Sequence, residues 1–139
     1  MQAKKDTSLV LPSSIEIDGS NYAVVAEAVM SEKSGNGQKR VLRDGGLSMS
    51  KLRGIYGLIT NVYTRANTPD DFNDSISDLQ YIKVKMAYES GREKNVYNFI
   101  ARTGLMFMLD QIKTYEQFVL YCRYAESLVA YFKFYGGKE

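Results

Sequence analysis

Lysine and arginine are the side chains in this sequence whose types and spacing best suit work on a ligand. Lys39, Arg40, Arg43, Lys51 and Arg53 form one cluster, and Lys83, Lys85, Arg92 and Lys94 form another. Their chemistry would be attraction of phosphate oxygens, which reads no base sequence, with tyrosines nearby to stack or to hydrogen-bond. The formal net charge is only +2, because Met1–Gln38 and Asn67–Asp78 are net acidic while Lys39–Ala66 and Leu79 onward are net basic. Such segregation suits a polyanion lying along one groove, and it also suits ordinary solvated helix faces.

Other chemistries find little support. The 139 residues contain no histidine, which removes imidazole as a general base, a metal ligand or a switch near neutral pH. Cys122 is the single cysteine, so no disulfide or cysteine-based zinc site forms within the chain, and a reducing, cytoplasmic setting is expected. Asp70, Asp74 and Asp78 recur at helical spacing and could in principle hold magnesium. Acids at a helix start already complement its dipole, however, and no partner motif accompanies them. Gly54-Ile55-Tyr56-Gly57 fits the bare GXXG pattern of KH loops, but KH domains also need strands; close packing or a phosphate contact at helical glycines is the expected alternative. Neither a phosphate-binding loop nor a catalytic triad is legible, so the sequence predicts no enzyme, no cofactor and no metal.

The elements that would position the cations read as helices. Residues 1–19 contain Pro12, a serine pair and Gly19 and are expected to be a poorly structured N-terminal arm, without a signal peptide. Residues 20–139 are expected to be one helical domain, since a chain of this length buries roughly two thirds of its unfolded surface in a single core. A first helix is predicted over Asn21–Lys33, followed by a turn-rich connection with Ser34, Gly35, Asn36 and Gly37. Ser48 caps a second helix ending near Ala66, with Leu52, Ile55, Tyr56, Ile59, Val62 and Tyr63 facing inward. Thr68 and Pro69 start a third, running to Ser90 with Phe72, Ile76, Leu79, Ile82 and Met86 inside and Gly91 as its left-handed stop. A fourth is predicted over Glu93–Lys113, and Thr114 with Gln117 forms a capping box for the last. The fold class is an all-α bundle of about five helices.

That last helix has an unusually wide apolar surface. Phe118, Tyr121, Ala125, Leu128, Phe132 and Tyr135 make a seam at alternating spacings of three and four, with Leu120, Tyr124, Tyr131 and Phe134 beside it. Either it is the central helix, or another chain covers part of it. The three charges within Phe118–Gly137, Arg123, Glu126 and Lys133, argue against a membrane span.

Two segments, Leu79–Arg92 (LQYIKVKMAYESGR) and Phe118–Gly137 (FVLYCRYAESLVAYFKFYGG), closely resemble the small subunit of the type III-A CRISPR effector, the Csm complex. Leu47–Arg53 (LSMSKLR) looks like that family's opening segment. The resemblance spans Leu47–Gly137 and rests on the AY-x-x-GR and VAY-x-K-x-x-GG patterns together. It implies a helical, non-enzymatic protein of the prokaryotic cytoplasm, acting in antiviral defence. Several copies would stack beside the backbone and large subunits, their basic face on target RNA near the guide RNA. Arg53, Lys83, Arg92, Arg123 and Lys133 match basic or motif positions of the family and are the expected RNA contacts; Lys51 and Lys85 are added from helix geometry. Residues 1–46 depart from the family pattern, and Gly54 stands where a basic residue is often seen. Tyr121, Tyr124, Tyr131 and Phe134 are expected to meet a neighbouring copy. The competing expectation is a protein-interaction module whose aromatic surface contacts no RNA.

Overall fold

The structure is a computed structural model that describes residues 16–33, 35, 37, 39–42 and 45–137. Most of the expected arm, together with Ser34, Asn36 and Arg43, lies outside the described residues. Among the described residues the chain forms an all-α bundle: α1 (Tyr22–Ser31), α2 (Met49–Arg65), α3 (Pro69–Asp74), α4 (Ile76–Arg92), α5 (Lys94–Thr103), α6 (Leu105–Leu109) and α7 (Tyr115–Phe134).

Local chemistry sets the helix starts. Ser48 accepts the Lys51 N–H at 3.2 Å, and Thr68 accepts that of Asp71 at 3.2 Å ahead of Pro69. At α7 the capping box is complete: Thr114 accepts the Gln117 N–H at 3.1 Å, and the Gln117 side chain accepts the Thr114 N–H at 3.1 Å.

Two expected long helices are each broken once. The third breaks at Ser75, whose N–H turns back to the Phe72 carbonyl at 2.9 Å. The break lets Phe72 stack on Phe118 at 5.4 Å while α4 takes its own course, and it turns Ile76, an expected core residue, 41% outward. Gly91 is not the stop; α4 continues through it to Arg92 and ends because Glu93 is extended. The predicted helix over 93–113 breaks at Gly104, whose φ of 78° is a conformation glycine adopts without a Cβ clash. α5 ends there and α6 restarts at once, burying Leu105, Met108 and Leu109.

α7 is the central helix. Phe118, Tyr121, Tyr124, Ala125, Leu128 and Phe132 are buried along it, and it packs chiefly against α1 and α2. Its tyrosine hydroxyls tie it to four other parts of the chain. Tyr115 donates to the Asn67 carbonyl (2.8 Å), Tyr121 to that of Leu105 (2.8 Å), Tyr124 to that of Thr103 (2.6 Å) and Tyr135 to the Glu27 carboxylate (2.8 Å). The closing Gly136-Gly137 pair has a steric reason. Gly136 has φ 85°, and any Cβ on Gly137 would collide with the Phe132 ring. After α1, Lys33 and Arg40 form an isolated antiparallel bridge, and Val41 N–H donates to the Glu32 carbonyl at 2.8 Å.

Candidate nucleic-acid interface

Helix direction decides which cations meet. Arg65 Nη2 lies 3.4 Å from Asp78 Oδ2, while Lys51 Nζ reaches Glu93 Oε2 at 2.6 Å, so α2 and α4 run antiparallel. Tyr63 packs beside Phe118, and Tyr56 faces Cys122 and Glu126, so α2 and α7 are antiparallel too. The start of α2 and the last turns of α4 and α7 therefore share one end of the bundle. That end carries Lys51, Arg53, Arg92, Lys94 and Lys133, with Glu89 and Glu93 among them. At the other end α3 and the start of α7 bring Asp70, Asp71, Asp74 and Glu116, with Asp78 nearby, and these outnumber the cations Arg65 and Lys113 there. Charge segregation along the sequence becomes polarity along the bundle. Cations at the last turns of α4 and α7 also complement two negative helix ends, which is a local reason for Arg92 and Lys133.

The expected RNA-contact residues differ in availability. Arg53 and Arg123 are exposed on α2 and α7. Lys51 is held by Glu93, and Lys83 by both oxygens of Asp110 at 3.0 and 2.9 Å. Exposed pairs of this kind contribute only about 0–1 kcal/mol, so phosphate oxygens can displace the carboxylates at small cost. Lys85 Nζ lies 6.0 Å from the centroid of Tyr81, and Arg92 Cζ lies 5.6 Å from that of Tyr88. Arg92 also reaches Glu89 at 3.5 Å. Lys133 is exposed in the last turn of α7. Lys83 and Lys85 sit further down α4 and Arg123 midway along α7, so the set is not one compact patch. Of the first cluster, Arg40 is engaged locally: its Nη1 donates to the Ser31 carbonyl at 3.1 Å and its guanidinium lies 4.4 Å over the Tyr135 ring.

The expected subunit-interface set needs correction. Tyr121 and Tyr124 are 1% and 0% exposed, inside the chain's own core, so neither meets a second copy. Tyr121 belongs to the core seam itself, and Tyr124 fell into an apparent second stripe because α7 is wrapped on more than one side. Tyr131 is half-buried and Phe134 is 72% exposed, and their rings meet edge to face at 6.1 Å.

Other candidate chemistry dissolves into structure. Ser75 separates Asp74 from Asp78, which pairs with Arg65, so the three acids do not share one helix. Gly54 to Gly57 is helical interior with Ile55 buried, not a KH loop. A Cβ at either glycine would meet nothing within 4 Å, so close packing inside the chain does not explain them. Burial pushes the Cys122 thiol up to about 12, which makes it a poor nucleophile at neutral pH. No helix among the described residues is long and apolar enough to cross a membrane.

Sequence reasoning passed over Tyr81 and Tyr88, 61% and 59% exposed on α4. The signal was present: in YIKVKMAYESGR each of these tyrosines is followed four residues later by Lys85 or Arg92, one helical turn away.

The family model described as Csm2 Type III-A matches residues 26–138. Among curated relatives, the "CRISPR system Cms protein Csm2" of Enterococcus italicus is 42% identical over 109 residues, covering 74% of this chain and 78% of the relative. Its counterpart in Streptococcus thermophilus is 36% identical over 121 residues, covering 86% and 94% respectively. The protein of the same name in Mycobacterium tuberculosis is 30% identical over 97 residues, covering 67% of this chain and 78% of its own.

Proposed function

Because the chain belongs to the Csm2 type III-A family, the small subunit of the type III-A CRISPR effector complex, we propose that it is a non-catalytic subunit that holds target RNA by backbone contacts. The observation that carries this reading is the gathering of Lys51, Arg53, Arg92, Lys94 and Lys133 at one end of an otherwise acidic-ended bundle. Cations without sequence-reading partners suit a protein that leaves recognition to pairing between guide and target. In this reading Lys83, Lys85 and Arg123 extend the contact along α4 and α7, and the guide RNA, backbone subunits and large subunit are neighbours in the assembly. Further copies of the chain stack through the exposed aromatic end of α7, where Phe134 and Tyr131 remain accessible. Antiviral defence in the prokaryotic cytoplasm follows from that assignment.

The test uses the assembled complex with Arg53→Glu and Arg123→Glu, both exposed positions. Helicity should be unchanged, while target RNA capture weakens. The slope of log affinity against log salt should become shallower by about 0.7 for each single-strand phosphate no longer neutralised. Identical capture by wild type and variant at every salt concentration would refute RNA holding by these residues. The second reading, an aromatic protein-interaction module, is favoured by Phe134. It predicts that Phe134→Ser disrupts assembly while Arg53→Glu does not affect capture.

A further inference from the structure

The outer face of α4 carries a repeated unit that packing does not use. Tyr81, Val84 and Tyr88 are each about three-fifths exposed, while Leu79, Ile82 and Met86 fill the buried face of the same helix. Each tyrosine has a cation against its ring, Lys85 at 6.0 Å and Arg92 at 5.6 Å. These distances lie at the outer limit for a cation on an aromatic face, so the cations are easily drawn away. Asp78 and Asp110 are paired with Arg65 and Lys83, while Glu89 lies 3.5 Å from Arg92, a contact that the guanidinium gives up on moving to a phosphate.

We propose that this face stacks unpaired RNA bases, with Tyr81 and Tyr88 as platforms and Lys85 and Arg92 moving from the rings onto the adjoining phosphates. The proposal rests on the RNA-holding reading above and deepens it. Positively charged tracks interleaved with aromatic rings are how single strands are bound without sequence preference, since every base has a flat face. A seven-residue repeat advances about 10.5 Å along a helix, which is about three base steps of about 3.4 Å. The two rings therefore bracket a short run of bases. Against a protein partner stands Lys85, since lysine is depleted at protein interfaces; tyrosine and arginine are common there, so the experiment below has to separate the two.

The decisive experiment reconstitutes the effector complex with Tyr81→Leu and Tyr88→Leu together, and separately with Tyr81→Phe and Tyr88→Phe. Labelled single-stranded RNA is titrated beside heparin, a polyanion without bases. The leucine pair should bind RNA at least about tenfold more weakly, with heparin binding and the salt slope of RNA binding unchanged, and the phenylalanine pair should restore affinity. The chain has no tryptophan, so Tyr88→Trp in the isolated full chain gives a second readout: its fluorescence should be quenched by single-stranded RNA and not by heparin. Wild-type RNA affinity in the leucine pair, with weakened affinity in Arg53→Glu and Arg123→Glu, overturns stacking and leaves RNA holding intact. Failure of the leucine pair to assemble, with unquenched Tyr88→Trp, makes the face a protein contact and overturns it as well. Unchanged capture in both variant sets overturns RNA holding and stacking together.

Discussion

Removing the two buried tyrosine hydroxyls of α7 tests how the bend at Gly104 is held. The Tyr124 hydroxyl donates at 2.6 Å to the Thr103 carbonyl, one of the last carbonyls of α5, which the helix's own ladder leaves without a partner. The Tyr121 hydroxyl donates at 2.8 Å to the Leu105 carbonyl, in the first turn of α6. Both side chains are at most 1% exposed, so water does not replace a missing donor without rearrangement. Tyr124→Phe keeps the ring and strands a buried acceptor, a loss of about 1–3 kcal/mol; Tyr121→Phe removes a second bond to a ladder carbonyl and should lose about 0.5–1.5 kcal/mol. An unfolding entropy of about 2.1 cal/mol/K per residue makes each 1 kcal/mol worth about 3–4 °C in Tm for a chain of this size. Tyr124→Phe should therefore melt about 3–10 °C below wild type and Tyr121→Phe about 2–5 °C below. The two carbonyls flank one glycine, so the double variant should lose less than the sum, because a bend released once no longer needs its second tie. Thermal unfolding followed by circular dichroism, with native far-UV spectra as the control, measures all three. Single variants melting within 1 °C of wild type would refute the claim that these hydroxyls hold the bend, on the same roughly 2.1 cal/mol/K scale.

Three further outcomes are expected. Gly54→Ala and Gly57→Ala sit in helical interior with nothing within 4 Å, so each should raise stability by about 0.5–1 kcal/mol; a lower denaturant midpoint would show that α2 needs these glycines. Cys122 has its folded pKa raised from 9.0 to about 12, and burial raises the Tyr121 and Tyr124 phenols well above their usual value. A raised pKa on such an acid gives stability that is complete below the unfolded value and lost as pH climbs through the folded one. Unfolding free energy should therefore stay level through pH 8 and decline from about pH 9, with Cys122→Ser flattening the earliest part of the decline; a level wild-type profile to pH 11 would contradict this. In the native chain at neutral pH, Cys122 should react with an alkylating reagent far more slowly than after denaturation, as mass spectrometry can follow.

Helix identity was legible wherever side chains act on their own backbone. Ser48, Thr68 and the Thr114–Gln117 pair announce their helices because a cap is a contact within four residues. The breaks at Ser75 and Gly104 were not, since each is decided by a distant partner: Phe72 seeks Phe118, and Thr103 and Leu105 receive hydroxyls from α7. The same limit explains Tyr121 and Tyr124. Periodicity says that a residue is apolar on one side, and cannot say whether the chain itself supplies the cover. Among the cations, Arg53 and Arg123 are exposed as helix geometry suggests, but the carboxylates holding Lys51 and Lys83 lie 42 and 27 positions away in the chain. The tyrosine and cation repeat of α4 was visible in the letters and became informative only once α4's inner face was known.

The small bridge between Lys33 and Arg40 has a consequence for how this chain can change. Val41 N–H on the Glu32 carbonyl and Arg40 on that of Ser31 fasten the same two ends, so the chain leaves and returns to the bundle at a sutured neck. Closing a chain across such a tie becomes only slowly harder as residues are added, by about 0.6 kcal/mol of closure entropy for each doubling of length. The neck is thus a natural point of insertion, where an epitope or fluorophore could be spliced between Lys33 and Arg40 while α1, α2 and the basic end keep their places.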